Sequence, residues 1–178
     1  MKKITNEKAK LPKFIDAVHA VWVYDDLSSH LIQRFKFYED FTVLPFLTES
    51  LYREVQNLTN IDAILPVPLH AFRLFKRGFN QAGEIGKRLA KQMQLPFDDA
   101  MLCKVKKTKA QAGLQKSARH ENIKGVFEIK YGKNYKNVVL LDDVMTTGST
   151  VSELARILKK SGVQRVEVWV LARALIGV

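Results

Sequence analysis

Cysteine is almost absent. Cys103 is the only one in 178 residues, which excludes an internal disulfide and a multi-cysteine zinc site built within the chain. Its setting, "AMLCKVKK", is an apolar-to-basic, strand-like segment and predicts a packed core thiol; a nucleophilic role needs an activating neighbour that sequence does not show. Long apolar runs are missing too. None approaches the ~20 residues of a membrane-spanning helix, and the start "MKKITNEKAKLPK" lacks the apolar segment of a secretory signal. The expectation is a soluble cytoplasmic protein without membrane insertion. Acidic residues are the third shortage: 18 stand against 29 basic ones, a net charge of +11.

That shortage is local. Residues 70–91 hold Arg73, Lys76, Arg77, Lys87, Arg88 and Lys91 against the single acid Glu84, and residues 104–119 hold Lys104, Lys106, Lys107, Lys109, Lys116 and Arg119 against none. The two stretches carry +5 and +6, the whole excess, while the rest of the chain is balanced. If both border one site, they imply a polyanionic ligand. If not, they are two solvated faces.

Hydrophobic residues, 47% of the chain, suffice for one well-buried globular domain but not for two independent ones. Four segments read as buried strands: "IDAILPVPL" (61–69), "MLCKV" (101–105), "NVVLLDDV" (137–144) and "VEVWVLARA" (166–174). Helical spacing links Ala82, Ile85, Leu89 and Met93, and again Val151, Leu154, Ala155 and Leu158. Strands alternating with helices predict a parallel sheet covered on both faces. Pro96 closes the earlier helix, and Gly162 follows the last where a left-handed cap belongs. In the N-terminal third, "VHAVWVYD" alternates like a half-buried strand. Leu27, Leu31 and Phe35 then recur at helical spacing, as do Leu47, Leu51 and Val55 after Pro45, a good first-turn residue. The spacing predicts a strand and two helices packed on the sheet. The aromatics of "RFKFYEDF" (34–41) suit either stacked nucleic-acid bases or, the reading favoured here, the packing face of an amphipathic helix.

The most informative stretch is "VVLLDDVMTTGSTVSELARIL" (138–158). A strand core ends in two carboxylates and a hydroxyl-rich loop, at the strand's carboxyl end, where ligands bind in open α/β sheets. A helix follows from about Ser149, with Thr150 and Glu153 spaced like a capping box. Free backbone N–H groups, a positive helix end of roughly half a charge and the hydroxyls of Thr146, Thr147, Ser149 and Thr150 would hold a phosphate monoester. Gly148 allows close approach or a positive φ. Asp142 and Asp143 repel phosphate but suit ribose hydroxyls, or magnesium held through water. The ligand suggested is a ribose 5-phosphate unit.

"VVLLDDVMTTGST" resembles the phosphoribosyl pyrophosphate motif of type I phosphoribosyltransferases. "LPVPLHAFRLFKRGFNQAGEIGKRLA" (65–90) and "KTKAQAGLQKSARHENIKGVFEI" (107–129) are similar to the ComF family of competence-associated, phosphoribosyltransferase-like proteins. With the family-like "YDDLSSHLIQRFKFYED" (24–40), the resemblance covers about Val21 to Ala174. It implies an α/β type I phosphoribosyltransferase fold, a parallel sheet flanked by helices. One domain would fill residues 1–178, with 1–60 as an N-terminal strand–helix–helix extension and part of the hood, and 61–178 as the core. The cysteine-rich zinc module that usually precedes this region in the family has no counterpart in these residues: either the sequence begins after it or this relative lacks it.

The resemblance also assigns roles. Thr146, Thr147, Gly148, Ser149 and Thr150 would bind the 5'-phosphate, and Asp142 and Asp143 would be the catalytic acids that fix the ribose and meet magnesium. The pyrophosphate loop corresponds to Pro68, Leu69 and His70 with Arg73 and Arg77. The mobile loop, which closes over substrate, corresponds to Lys106 through Arg119, with Lys106, Lys107, Lys109, Lys116 and Arg119 also facing DNA. The implied chemistry is displacement of magnesium-bound diphosphate by a nitrogen nucleophile. His70 either donates to that diphosphate or is a surface loop residue; Asn80 and Gln81 either touch substrate or serve capping and polar packing. Three functions remain open: a phosphoribosyltransferase of nucleotide salvage, a natural-transformation factor that binds phosphoribosyl pyrophosphate with magnesium and handles single-stranded DNA, and a ligand sensor without turnover. The second implies a competence helicase or other DNA-processing proteins as partners.

Overall fold

Residues 11–106 and 123–174 are described by the computed structural model. In chain order the elements are β1 (Ala17–Val23), α1 (Asp26–Tyr38), a short 3-10 turn (Phe41–Val43), α2 (Leu44–Val55), β2 (Ala63–Pro66), α3 (Ala71–Arg77), α4 (Gln81–Met93), β3 (Leu102–Lys104), β4 (Phe127–Ile129), β5 (Asn137–Met145), α5 (Ser149–Lys160) and β6 (Arg165–Arg173).

Four strands form a parallel sheet in the order β1-β6-β5-β2. Successive side chains of a strand point to opposite faces, and β5 and β6 are apolar on both. Val138, Leu140, Val166, Val168 and Val170 pack with Val151, Leu154, Ala155 and Leu158 of α5 on one side. Val139, Leu141, Trp169 and Leu171 pack on the other with Ile32 and Phe35 of α1, Leu47, Leu51 and Val55 of α2, and Ile85 and Leu89 of α4. Such continuous apolar strands belong to a parallel sheet covered on both faces, as the sequence predicts. At the β1–β6 seam Glu167 is buried against His19, 3.4 Å away, and Arg165, 2.8 Å away. The His19 contact, set against burial and aided by Arg165 and Trp169, holds its carboxyl down at about 2.

Prolines shape the open edge. Val67 donates its N–H to Leu141 of β5 at 2.8 Å, whereas Ile64 turns its N–H the other way, to Pro96 at 2.9 Å. By the alternation of the strand, Pro66 and Pro68 fall on that outer side. There they offer no donor for a further strand to pair with, and the chain is released into the loop that ends at His70.

Five expectations need correction. "MLCKV" is a strand, but a three-residue one paired antiparallel with β4, outside the parallel sheet. Asp98 anchors the preceding turn by accepting the N–H groups of Ala100 and Met101 at 3.2 and 3.0 Å and the Tyr131 hydroxyl at 2.6 Å. Cys103 in β3 is therefore only half-buried, its Sγ 3.5 Å from the Glu128 carbonyl, and not a core thiol. On α1 the buried residues are Ser28, Ile32 and Phe35, and Leu27 is 67% exposed. A capping box between Asp25 and Ser28, with the Ser28 hydroxyl also donating to Val23 at 2.9 Å, joins the helix to the end of β1 and fixes that rotation. The capping box expected at Thr150 and Glu153 does not form. Gly148 is the cap residue of α5, and Glu153 instead accepts from Gly125 and Arg156. "RFKFYEDF" divides: Phe35 is buried, while Phe37 and Tyr38 stand in solvent.

Candidate functional site

The acids sit at the carboxyl end of β5, still in register with β6. Asp142 accepts the Asp143 N–H at 2.9 Å, and Asp143 accepts the Val144 N–H at 2.8 Å through Oδ1. Its Oδ2 accepts from the Lys36 ammonium of α1 at 2.6 Å. Burial first, and the Asp143 carboxylate second, push the Asp142 carboxyl up to about 8 against the pull of Lys36.

The loop that follows turns on Gly148, at φ +72°, a conformation that side chains disfavour. A Cβ there would also lie 2.6 Å from Pro12 Cγ. Both constraints select glycine, as the sequence suggests. The Thr147 and Ser149 hydroxyls lie 2.9 Å apart. Thr146 is exposed, Thr147 and Thr150 are half-buried and Ser149 is buried. Gly148, the cap residue of α5, has no side chain to cap it; Thr147 Oγ1 accepts the Ser149 N–H at a long 3.4 Å, and the first turn otherwise opens toward the loop.

The second half of the site starts where β2 ends. Asn80, at the start of α4, donates through Nδ2 to Val67 O at 3.1 Å instead of capping its own helix. Pro68 and Leu69 are half-buried, and His70 bridges to Lys104 of β3. His70 is also the cap of α3, its Nδ1 accepting the Phe72 N–H at 3.2 Å. Arg73 and Arg77 stand on α3. Arg77 donates to Gln81 Oε1 at 2.6 Å and lies over the Phe37 ring, 5.6 Å from its centroid. Burial lowers the Arg77 pKa, and the charge of Asp143 opposes that shift. Burial and then Arg73 lower that of Lys104, against the favourable charge of Asp142. Arg73, Arg77 and Lys104 thus share one electrostatic neighbourhood with the acids. A cavity of about 550 Å³ runs along the loop between α4 and β3, lined by Pro68, Leu69, Asn80, Lys87, Cys103 and Lys104 among others.

Of the mobile-loop residues, Lys106 is exposed. Lys107, Lys109, Lys116 and Arg119 lie outside the described residues. Sequence reasoning missed two site residues, Lys36 and Lys104. Lys36 falls within the family-like segment 24–40, a signal that marked its neighbourhood but not its role; Lys104 was counted in a basic stretch and given no position.

The profile of the phosphoribosyl transferase domain family matches residues 46–177. The chain is also 39% identical over 160 residues to "Competence protein F" of Haemophilus influenzae, covering 85% of this chain and 70% of that protein. The chain belongs to the ComF family of phosphoribosyltransferase-fold proteins. A further relative is "DNA utilization protein YhgH" of Escherichia coli (strain K12), 33% identical over 153 residues, 83% of this chain and 67% of that protein. Among solved structures, orotate phosphoribosyltransferase from Aeropyrum pernix aligns at 17% identity with a TM-score of 0.47, over 76% of this chain and 62% of that one. The ComF-family homologues are thus competence and DNA-utilization proteins. No helix among the described residues is long and apolar enough to cross a membrane.

Proposed function

We propose that this chain serves DNA uptake by natural transformation and binds phosphoribosyl pyrophosphate with magnesium. The observation that carries the reading is the junction of β5 and α5: two carboxylates, then a glycine-turned hydroxyl loop, then a helix start whose cap residue is glycine. The 5'-phosphate would sit on Thr146 to Thr150. Asp142 and Asp143 would take the ribose hydroxyls, and the Pro68–His70 backbone with Arg73 and Arg77 would receive the diphosphate. The donor set fits magnesium of one kind only. Two carboxylates do not cage an ion, but they suit one that keeps waters and is shared with ligand phosphates. Magnesium so held would neutralise the departing diphosphate, and the same constellation serves a sensor that binds without turnover.

Calorimetric titration of phosphoribosyl pyrophosphate with and without magnesium tests the reading. Wild type should bind in a magnesium-dependent way. The double variant Asp142→Asn, Asp143→Asn should lose binding while keeping its circular dichroism; unchanged affinity in a folded double variant would remove the acids from the site.

A second reading, single-stranded DNA, is favoured by α3. This helix buries no residue. Phe72 is 55% and Phe75 89% exposed, interleaved with Arg73, Lys76 and Arg77 and with no acid from 70 to 83. Rings that stack on bases beside cations that follow phosphates make a single-strand platform. In anisotropy titrations of an oligothymidylate, Phe75→Ala should weaken binding by about 1 kcal/mol or more with the salt slope unchanged. Lys76→Glu should weaken it and flatten the slope by about one unit. Binding by both variants equal to wild type at every salt concentration would take α3 out of the DNA reading. By charge alone, the loop cations Lys107, Lys109, Lys116 and Arg119 are further candidates for phosphate contacts.

A further inference from the structure

The ion pair between Lys36 and Asp143 does something the helix that carries it does not need. The Asp25–Ser28 capping box and the burial of Ile32 and Phe35 already fix α1. Yet Lys36 reaches a carboxylate 107 residues away and meets it at 2.6 Å. Only 10% of the Asp143 side chain is exposed, against 29% for Lys36, so water screens the contact weakly. Its Oδ1 is occupied by the Val144 N–H. Arg77 acts on the same carboxylate and Lys104 on Asp142. Three cations thus stand about the acidic pair. Among the described residues no cluster of three or more His, Cys, Asp or Glu side chains is placed to hold a metal. A pair of carboxylates so surrounded is a poor trap for a bare divalent ion, which would have to displace an ammonium from Asp143 and give up its own water.

We propose that Lys36 is a resident counter-cation of Asp143 which free magnesium cannot displace, so that the acidic pair admits the metal only together with a diphosphate. This rests on the phosphoribosyl pyrophosphate reading of the site. The diphosphate supplies the negative charge that free magnesium lacks, and it gives Arg73 and Arg77 an anion to meet. Lys36 thereby selects for the metal-bound ligand over the metal alone, and it links α1 to occupancy of the β5–α5 loop.

Manganese, a paramagnetic stand-in for magnesium, reads this directly when the free ion is followed by electron paramagnetic resonance. Wild type and Lys36→Arg should leave free manganese unbound at the pair. Lys36→Met should bind one equivalent at least about tenfold more tightly, and the double variant Lys36→Met, Asp143→Asn should lose that gain. A folded Lys36→Met with no gain would reduce Lys36 to a structural tie and overturn the proposal. So would one tight equivalent on wild type that disappears in Asp143→Asn; this arm decides the matter if Lys36→Met does not fold. Titration of phosphoribosyl pyrophosphate into wild type in parallel separates the two ideas. Its failure removes the ligand reading, while the manganese series still reports on Lys36.

Discussion

Asp142→Asn should make the protein more stable at pH 8 than wild type while costing it the ligand. Burial and the neighbouring Asp143 raise the Asp142 carboxyl to about 8 in the folded chain, whereas an unfolded aspartate releases its proton near 4. Between those values the folded state holds a proton that the unfolded state has lost. The unfolded state therefore binds fewer protons, and stability falls as pH rises through the window. Asparagine has no proton to lose, so the variant should escape this slope. The gain at pH 8 is on the order of a few kcal/mol, and little should remain at pH 4. Urea unfolding at pH 4, 6 and 8 in magnesium-free buffer measures it. Parallel slopes for wild type and variant would mean that Asp142 is already ionised in the folded protein. Residues that bind substrate often cost stability in this way, and here the cost has a named carboxyl and a sign.

Gly86→Val should lower stability by about 3 kcal/mol and weaken phosphoribosyl pyrophosphate binding together with it. Gly86 lets α4 sit close against β5. A Cβ there would lie 2.7 Å from the Phe97 ring and 3.1 Å from Leu141, inside the 3.5–4.0 Å at which carbon atoms pack favourably, roughly. The branched methyls of valine add to the overlap, so either Phe97 or the helix must move. Leu141 directly precedes Asp142, and Asn80 at the start of α4 holds Val67. A displaced α4 therefore disturbs both halves of the site at once. Denaturation midpoints and ligand calorimetry on one preparation measure the two effects. A loss below about 0.5 kcal/mol, typical of neutral surface changes, would show that α4 tolerates the larger side chain without moving.

Periodicity was legible where helices press on the sheet along their length. Leu47, Leu51 and Val55, Ile85 and Leu89, and Val151, Leu154 and Leu158 are all buried as their spacing requires. The β5–α5 loop was legible too, because its glycine and hydroxyl residues serve local backbone needs that a short window contains. Leu27 misled because a polar residue, Ser28, holds the inward position through its cap, and hydrophobic spacing cannot weigh a hydrogen bond against a leucine. "MLCKV" misled because a three-residue antiparallel strand looks like a short parallel one until its partner, Phe127–Ile129, is known. Lys36 was out of reach for a different reason. Its role depends on a carboxylate 107 residues further on, and no local pattern states that distance.

The sheet order has a consequence for how the protein is made. β6, the last strand among the described residues, lies between β1 and β5, and the first contact of the β1 seam joins Asp16 to Val166 across 150 residues. A nascent chain leaving the ribosome can pair β2 with β5 and dock α4, but β1 must wait, its apolar side chains unpartnered, until β6 has been translated. Closure then comes late and across a long loop, the regime in which folding is slow. Until β6 emerges, the growing chain is guarded beside β2 by Pro66 and Pro68 and left open at β1.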